Sequence, residues 1–195
     1  DSNLQIRVLS KSILIKELAI RTESYKNRVS FSLSTGTSYR LISSTIEDHA
    51  SPINDRVETL HWLQDQGFRT YGMICPVLPS EVDRARELLD QVRPDRCEHV
   101  WVEPLNIRGK SFANTYGKLL NAGASNHANE LLRVMGNNQH WIEYSQKLFL
   151  AFQSEMKIRN QLQKLRFCQY VSKNDREFFE SQEGAVCILP PVKKV

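Results

Sequence analysis

Residues 28–34, RVSFSLS, alternate without a break: Val29, Phe31 and Leu33 fall on one face, Ser30, Ser32 and Ser34 on the other. A period of two predicts a β-strand. The apolar face requires a packed layer against it, and the row of three hydroxyls requires something polar opposite. Open solvent meets that second requirement, and so does a ligand. A parallel strand between helices is seldom open on either face, which favours the ligand.

Working outward, Leu4 to Ser10 repeats the period, with Leu4, Ile6 and Val8 apolar, and Ile13 to Ile20 has a helical flavour. Ser51-Pro52 predicts a helix start, with Ser as cap and Pro in the first turn. Ile53, Val57, Leu60 and Leu63 follow at helical spacing, and Gly67 supplies the stop. Phe68 to Val77 is the next strand. Ser80-Glu81-Val82-Asp83 has the form of a capping box, ahead of a helix whose stripe is Val82, Ala85, Leu88, Leu89 and Val92. Pro94 ends that helix, and His99 to Asn106 is a further strand. Strand and helix in such alternation mean parallel strands with helical crossovers, and ligands at the carboxyl ends of the strands.

After Asn106 the composition shifts. NIRGKSFANTYG and LNAGASNHAN read as loops around a short helix, and a long helix from about His140 to Arg166 carries Trp141, Tyr144, Leu148, Phe152, Met156, Leu162 and Leu165 as its stripe. FCQYVS, NDREFFES and AVCILPPV predict strand, short helix and strand. The expected class is therefore α/β: a partial parallel (β/α) barrel over residues 1–108 and a mainly helical extension with short terminal strands over residues 109–195.

With 195 residues, 41% hydrophobic and 25% charged, the composition is that of a globular protein with a sizeable core. No stretch approaches the roughly 18 apolar residues of a membrane span, and the opening residues lack a signal peptide. The start, without Met, reads as a cut in a longer chain. A net charge of +4 permits nucleic-acid contact without arguing for it. Cys75, Cys97, Cys168 and Cys187 show no CxxC spacing, which argues against a zinc or cluster site among them and for reduced, buried thiols in a cytoplasmic protein.

The order of these pieces, with particular residues in them, resembles the radical S-adenosylmethionine (radical SAM) superfamily, and within it the branch of spore photoproduct lyase. VLSKSILIKELAI resembles that branch's third barrel strand and helix, and RVSFSLST its fourth strand. IEDHASPINDRVETLHWLQDQGF carries its pattern of a Glu, a loop ending in Ser-Pro and an Arg on the next helix. YGMICPVLP and VWVEPLN resemble its fifth and sixth strands. The likeness covers roughly residues 4 to 108. It implies S-adenosylmethionine as cofactor, and a [4Fe-4S] cluster whose three-cysteine loop (CxxxCxxC) does not occur in this sequence.

The resemblance also implies roles. Lys11, flanked by Ser10 and Ser12, would meet the carboxylate of the cofactor's methionine part; the bland alternative is a solvated lysine. Ser32 and Ser34 would reach that carboxylate or the ribose hydroxyls. Arg56 would approach the carboxylate while Glu47 orders the loop, or the two would form a structural ion pair. Gly72, Ile74 and Pro76 would set backbone and a small wall beside the adenine, although plain strand packing calls for nearly the same residues. Cys75 reads as packing. Glu103 and Asn106 end the last strand where substrate would sit. Two other classes stay open: a non-catalytic nucleic-acid-binding module on a degenerate barrel, and an aldolase-type barrel using Lys11 and Glu103.

Overall fold

The stretch 28–34 forms β2 (Val29–Leu33) in the computed structural model, which describes residues 4–105, 111–170, 173–183 and 185–189. β1 (Ile6–Ser10) lies parallel on one side of it and β3 (Arg69–Thr70) parallel on the other. A second parallel set runs β4 (Gly72–Val77), β5 (Val100–Pro104), β6 (Leu165–Tyr170), β7 (Ala185–Leu189). The two sets are continuous through Tyr71: its N–H donates to Phe31 O at 3.1 Å, Ser34 bridges Met73, and the Thr35 N–H donates to Met73 O at 2.8 Å. Strand order thus follows chain order, and every described neighbour is parallel.

Between the strands lie α1 (Ile15–Arg21), α2 (Arg40–Ile46), α3 (Ile53–Asp65), α4 (Ala85–Val92), α5 (Ser111–Asn121), α6 (Ser125–Met135), α7 (Asn138–Ile158) and α8 (Lys173–Glu180). One core joins Val29, Phe31 and Leu33 of β2, Val100 and Val102 of β5 and Phe167 of β6 to Ala19 of α1, Leu60 and Leu63 of α3, Leu88 and Val92 of α4, and Phe149 and Phe152 of α7. These helices therefore share one face of the sheet. The opposite face carries Arg7, the serines of β2, Met73, Cys75, Trp101 and Glu103, in register across the strands. It curves inward: the Arg7 guanidinium on β1 lies 5.9 Å from the Tyr71 ring and 6.0 Å from the Trp101 ring on β5. A second cluster of Ile42 (α2), Leu78, Leu105, Leu119 (α5), Ala128 and Leu131 (α6) sits at the carboxyl ends of β4 and β5. No helix among the described residues is long and apolar enough to cross a membrane.

Several local expectations change. Pro52, with no side-chain bond, occupies the cap of α3; the Ser51 hydroxyl instead accepts from Ile13 N–H at 3.1 Å and ties the β1 loop to α3. Ser80-Glu81 is not a capping box. Residues Pro79–Arg84 form a 3-10 turn in which Ser80 Oγ pairs with His127 Nδ1 at 2.7 Å and Glu81 turns inward. The long helix stops at Ile158, where Asn160 takes a positive φ of 54°, and Leu165 already belongs to β6. Segments read as loops around Asn114 and Asn126 are α5 and α6, because burying Leu119, Ala128 and Leu131 outweighs weak local propensity. β6 pairs with β5 across the boundary expected near residue 108.

Gly36 and Gly117 test the packing. A Cβ at Gly36 would overlap the backbone of Cys75 and Pro76, whereas one at Gly117, inside α5, meets nothing within 4 Å. Gly36→Ala should therefore lose about 1–3 kcal/mol of unfolding free energy in urea, and Gly117→Ala should gain about 0.5–1 kcal/mol. Equal effects of the two would contradict this packing.

Candidate ligand site at the carboxyl ends of the strands

β1 and β2 end side by side, the Ser34 N–H donating to Ser10 O at 3.1 Å, and their loops carry the predicted residues. Lys11 follows β1 directly, with its side chain 45% exposed and Nζ 2.6 Å from Glu47 Oε1. The other Glu47 oxygen lies 2.6 Å from the Arg56 guanidinium. Arg56 has no solvent exposure, and its fork also donates to Ser34 O at 2.7 Å and Ser43 Oγ at 2.6 Å. The Glu47–Arg56 pair is thus formed. Arg56 is buried and bonded to three protein acceptors; it holds Glu47, and Glu47 holds Lys11.

The serine row divides by partner. Ser34 Oγ donates to Cys75 O and is spent on the neighbouring strand. Ser32, wholly buried, faces away from the core formed by Phe31 and Leu33, and its Oγ has no hydrogen-bond partner. A buried hydroxyl left unpaired costs about 1–3 kcal/mol, so Ser32 is the hydroxyl that a ligand would satisfy. Ser12 is a local device: its Oγ accepts from Leu14 N–H at 3.3 Å at the start of α1.

Gly72 and Ile74 face the helix layer. A Cβ on Gly72 would meet Val92 of α4 at 3.0 Å, and Ile74 is wholly buried in the main core. The concave side of β4 belongs to Met73 and Cys75, a parity that the apolar look of Gly72 and Ile74 hid. Cys75 is more than packing, because its Sγ donates to Glu103 Oε2 at 3.0 Å. Burial, reinforced by the charge and hydrogen bond of Glu103, pushes the thiol far up, against a partial offset from Lys11. Lys11, Cys75 and Glu103 therefore share one electrostatic neighbourhood at the strand ends. Asn106 lies outside the described residues. Among the described residues no group of His, Cys, Asp or Glu side chains is arranged to hold a metal.

The arrangement offers one tethered cation at a rim, one unpaired hydroxyl below it, and a protonated thiol bonded to a carboxylate. That set can receive an anionic group, and the thiol stays neutral at physiological pH. Sequence reading missed the Cys75–Glu103 contact; the two-residue spacing of Trp101 and Glu103 in β5, matched by Met73 and Cys75 in β4, was the available signal.

Arg56→Ala should lower stability by about 3 kcal/mol or more in urea unfolding, the cost of breaking a buried pair. Arg56→Lys, which keeps the charge without the fork, should recover only part of it; full recovery would show that the fork is dispensable. At pH 8.5 Cys75 should react with iodoacetamide more slowly in the folded protein than in urea, and Glu103→Gln should speed the folded reaction. An unchanged rate in that variant would deny the contact. Compared with models of protein families, with curated proteins and with solved structures, the chain matches none.

Proposed function

We propose that the chain is the carboxyl-terminal part of a radical S-adenosylmethionine enzyme, and that the concave end of its sheet receives the cofactor. Several features support this reading. Parallel strands in chain order, with core helices on one face, are wound as in a (β/α) barrel and unlike a doubly wound sheet, whose order reverses. Among the described residues no strand pairs with the outer edge of β1. Ile6 N–H donates to Arg28 O and Ser10 O accepts from Ser34 N–H, so by the alternation of the ladder the peptide groups of Arg7 and Leu9 face outward. Beside that edge Leu14 of the α1 entry is 64% exposed and Leu18 is 40% exposed, while Lys16, on the other flank of the helix, reaches the Trp62 ring of α3 at 4.4 Å. A further βα unit would cover such an edge and such leucines together.

In this reading Lys11 pairs with the methionine carboxylate, held at the rim by Glu47, and Ser32 contributes its hydroxyl from below. Arg56 positions Glu47 and touches no ligand. Ser12 and Ser34 shape the two loops through their own hydrogen bonds, and Gly72 and Ile74 support the site from the core side. The cofactor's organic part thus finds fitting donors in this chain, whereas the ligands of a [4Fe-4S] cluster would come from a CxxxCxxC loop outside this sequence. When bound, that cluster would supply the electron that cleaves S-adenosylmethionine to a 5′-deoxyadenosyl radical. The protein's share is to bind, orient and exclude water.

The unpaired, wholly buried hydroxyl of Ser32 carries the proposal. Titration calorimetry with S-adenosylmethionine tests it. Lys11→Ala should raise the dissociation constant about tenfold to hundredfold, the worth of a charge-assisted bond of about 1.5–3 kcal/mol. No binding by the wild type, or equal affinity in the variant, overturns the assignment.

A further inference from the structure

The five residues after β2, Ser34-Thr35-Gly36-Thr37-Ser38, lie at the carboxyl ends of the strands, and the first four of them are buried. Arg56 grips the segment at one end through Ser34 O. At the other end a second buried charge-bearing residue takes hold. Glu81, with no solvent exposure, accepts from Thr37 Oγ1 at 2.6 Å and from Ser38 N–H at 3.2 Å, both on Oε1. Thr37 Oγ1 in turn accepts from Tyr39 N–H at 3.1 Å, at the entry to α2. Glu81 Oε2 is buried without any partner. Glu81 forms no ion pair among the described residues, and an ionised carboxylate buried in that way costs far more than the neutral acid. The burial therefore suits the acid.

We propose that Glu81, as a buried carboxylic acid, is the latch that positions the loop after β2 beside the ligand site, and that its ionisation releases the loop. Burial raises its tendency to keep the proton, against the opposing pull of Thr37, Ser38 and Arg84. The sign follows: the folded chain holds a proton that the unfolded chain gives up at lower pH, so latching is complete at low pH and weakens as pH rises.

Other titratable groups face Glu81 from the packed elements. Arg84, on the same turn, is stacked over the Tyr39 ring at 3.9 Å and paired with Glu87. Tyr144 of α7 donates to Val77 O at 2.5 Å, and burial pushes its hydroxyl far above the range in question. Lys147 of α7 is paired with Asp83 at 2.8 Å. His127 of α6, bonded to Ser80, titrates below its ordinary value because of burial. His127 is thus the one neighbour among these that changes charge near the acidic end of the range.

Only the ligand arm of the test rests on the S-adenosylmethionine reading. Amide exchange at Thr37 and Ser38, corrected for the intrinsic pH dependence, is followed from pH 5 to pH 9. Wild-type protection should fall at least tenfold with rising pH. Glu81→Gln, which keeps both acceptor and donor but cannot ionise, should hold its protection constant, and His127→Gln should retain the wild-type fall. The affinity for S-adenosylmethionine should follow protection in the wild type and lose its pH dependence in Glu81→Gln. A flat wild-type profile, or the same fall in Glu81→Gln, overturns the latch. The expected exchange pattern with no cofactor binding at any pH overturns the ligand assignment and leaves the latch standing.

Discussion

The Arg56 guanidinium ties α3 to the ends of β2 and α2. Sent from α3 into a site with no solvent, it meets the end of β2 through Ser34 O, α2 through Ser43, and Glu47, which passes the contact on to Lys11 after β1. Two loops and two helices thus converge on one planar fork. Such a buried ion is a poor source of net stability, since an apolar replacement can do as well. Its worth is positional: the two terminal nitrogens of the fork bind Ser34 O, Ser43 and Glu47 at once, and so fix where these loops lie relative to one another. Glu81 does the same from the far side of the 34–38 segment, as a carboxyl group facing a hydroxyl and an amide.

Curvature explains the second unusual feature, a buried hydroxyl row on the face opposite the core helices described. Ser30, Ser32 and Ser34 are each under 5% exposed. The sheet turns inward until Arg7 reaches Trp101, and the side chains of neighbouring strands then shield the serines from either flank. In a flat sheet the same residues would be wet and unremarkable. Curved, they form a sheltered polar lining in which a missing hydrogen bond has a cost, and a ligand a reason to bind.

Much of the fold was legible. The period-two stretches became β1, β2, β4 and β5, and the stripes after Pro52 and around Leu88 became α3 and α4, because each pattern is enforced by burial on a single face. The pairing of Glu47 with Arg56 was one of two readings, and the pair is formed. The elements around the site were harder. α2, with only Ile42 and Ser43 buried, has no stripe to reveal it, and its reason to exist is the Arg56 contact and the cluster with Leu78 and Leu131. Ser51 and Ser80-Glu81 look like caps in isolation, yet distant partners, Ile13 and Thr37, claim them first.

By itself the sequence determined the α/β alternation, the parallel sense of the strands and the presence of Lys11 and a serine row at two strand ends, because periodicity and crossover length are local properties of a chain. Tertiary structure alone decided which serine is free, that Gly72 and Ile74 face the helices, that Cys75 meets Glu103, and that β6 and β7 extend the same sheet. Each of these depends on side-chain parity and on residues tens of positions apart. The free energy that settles them, the desolvation of polar groups in a curved interior, exists only once the strands are assembled.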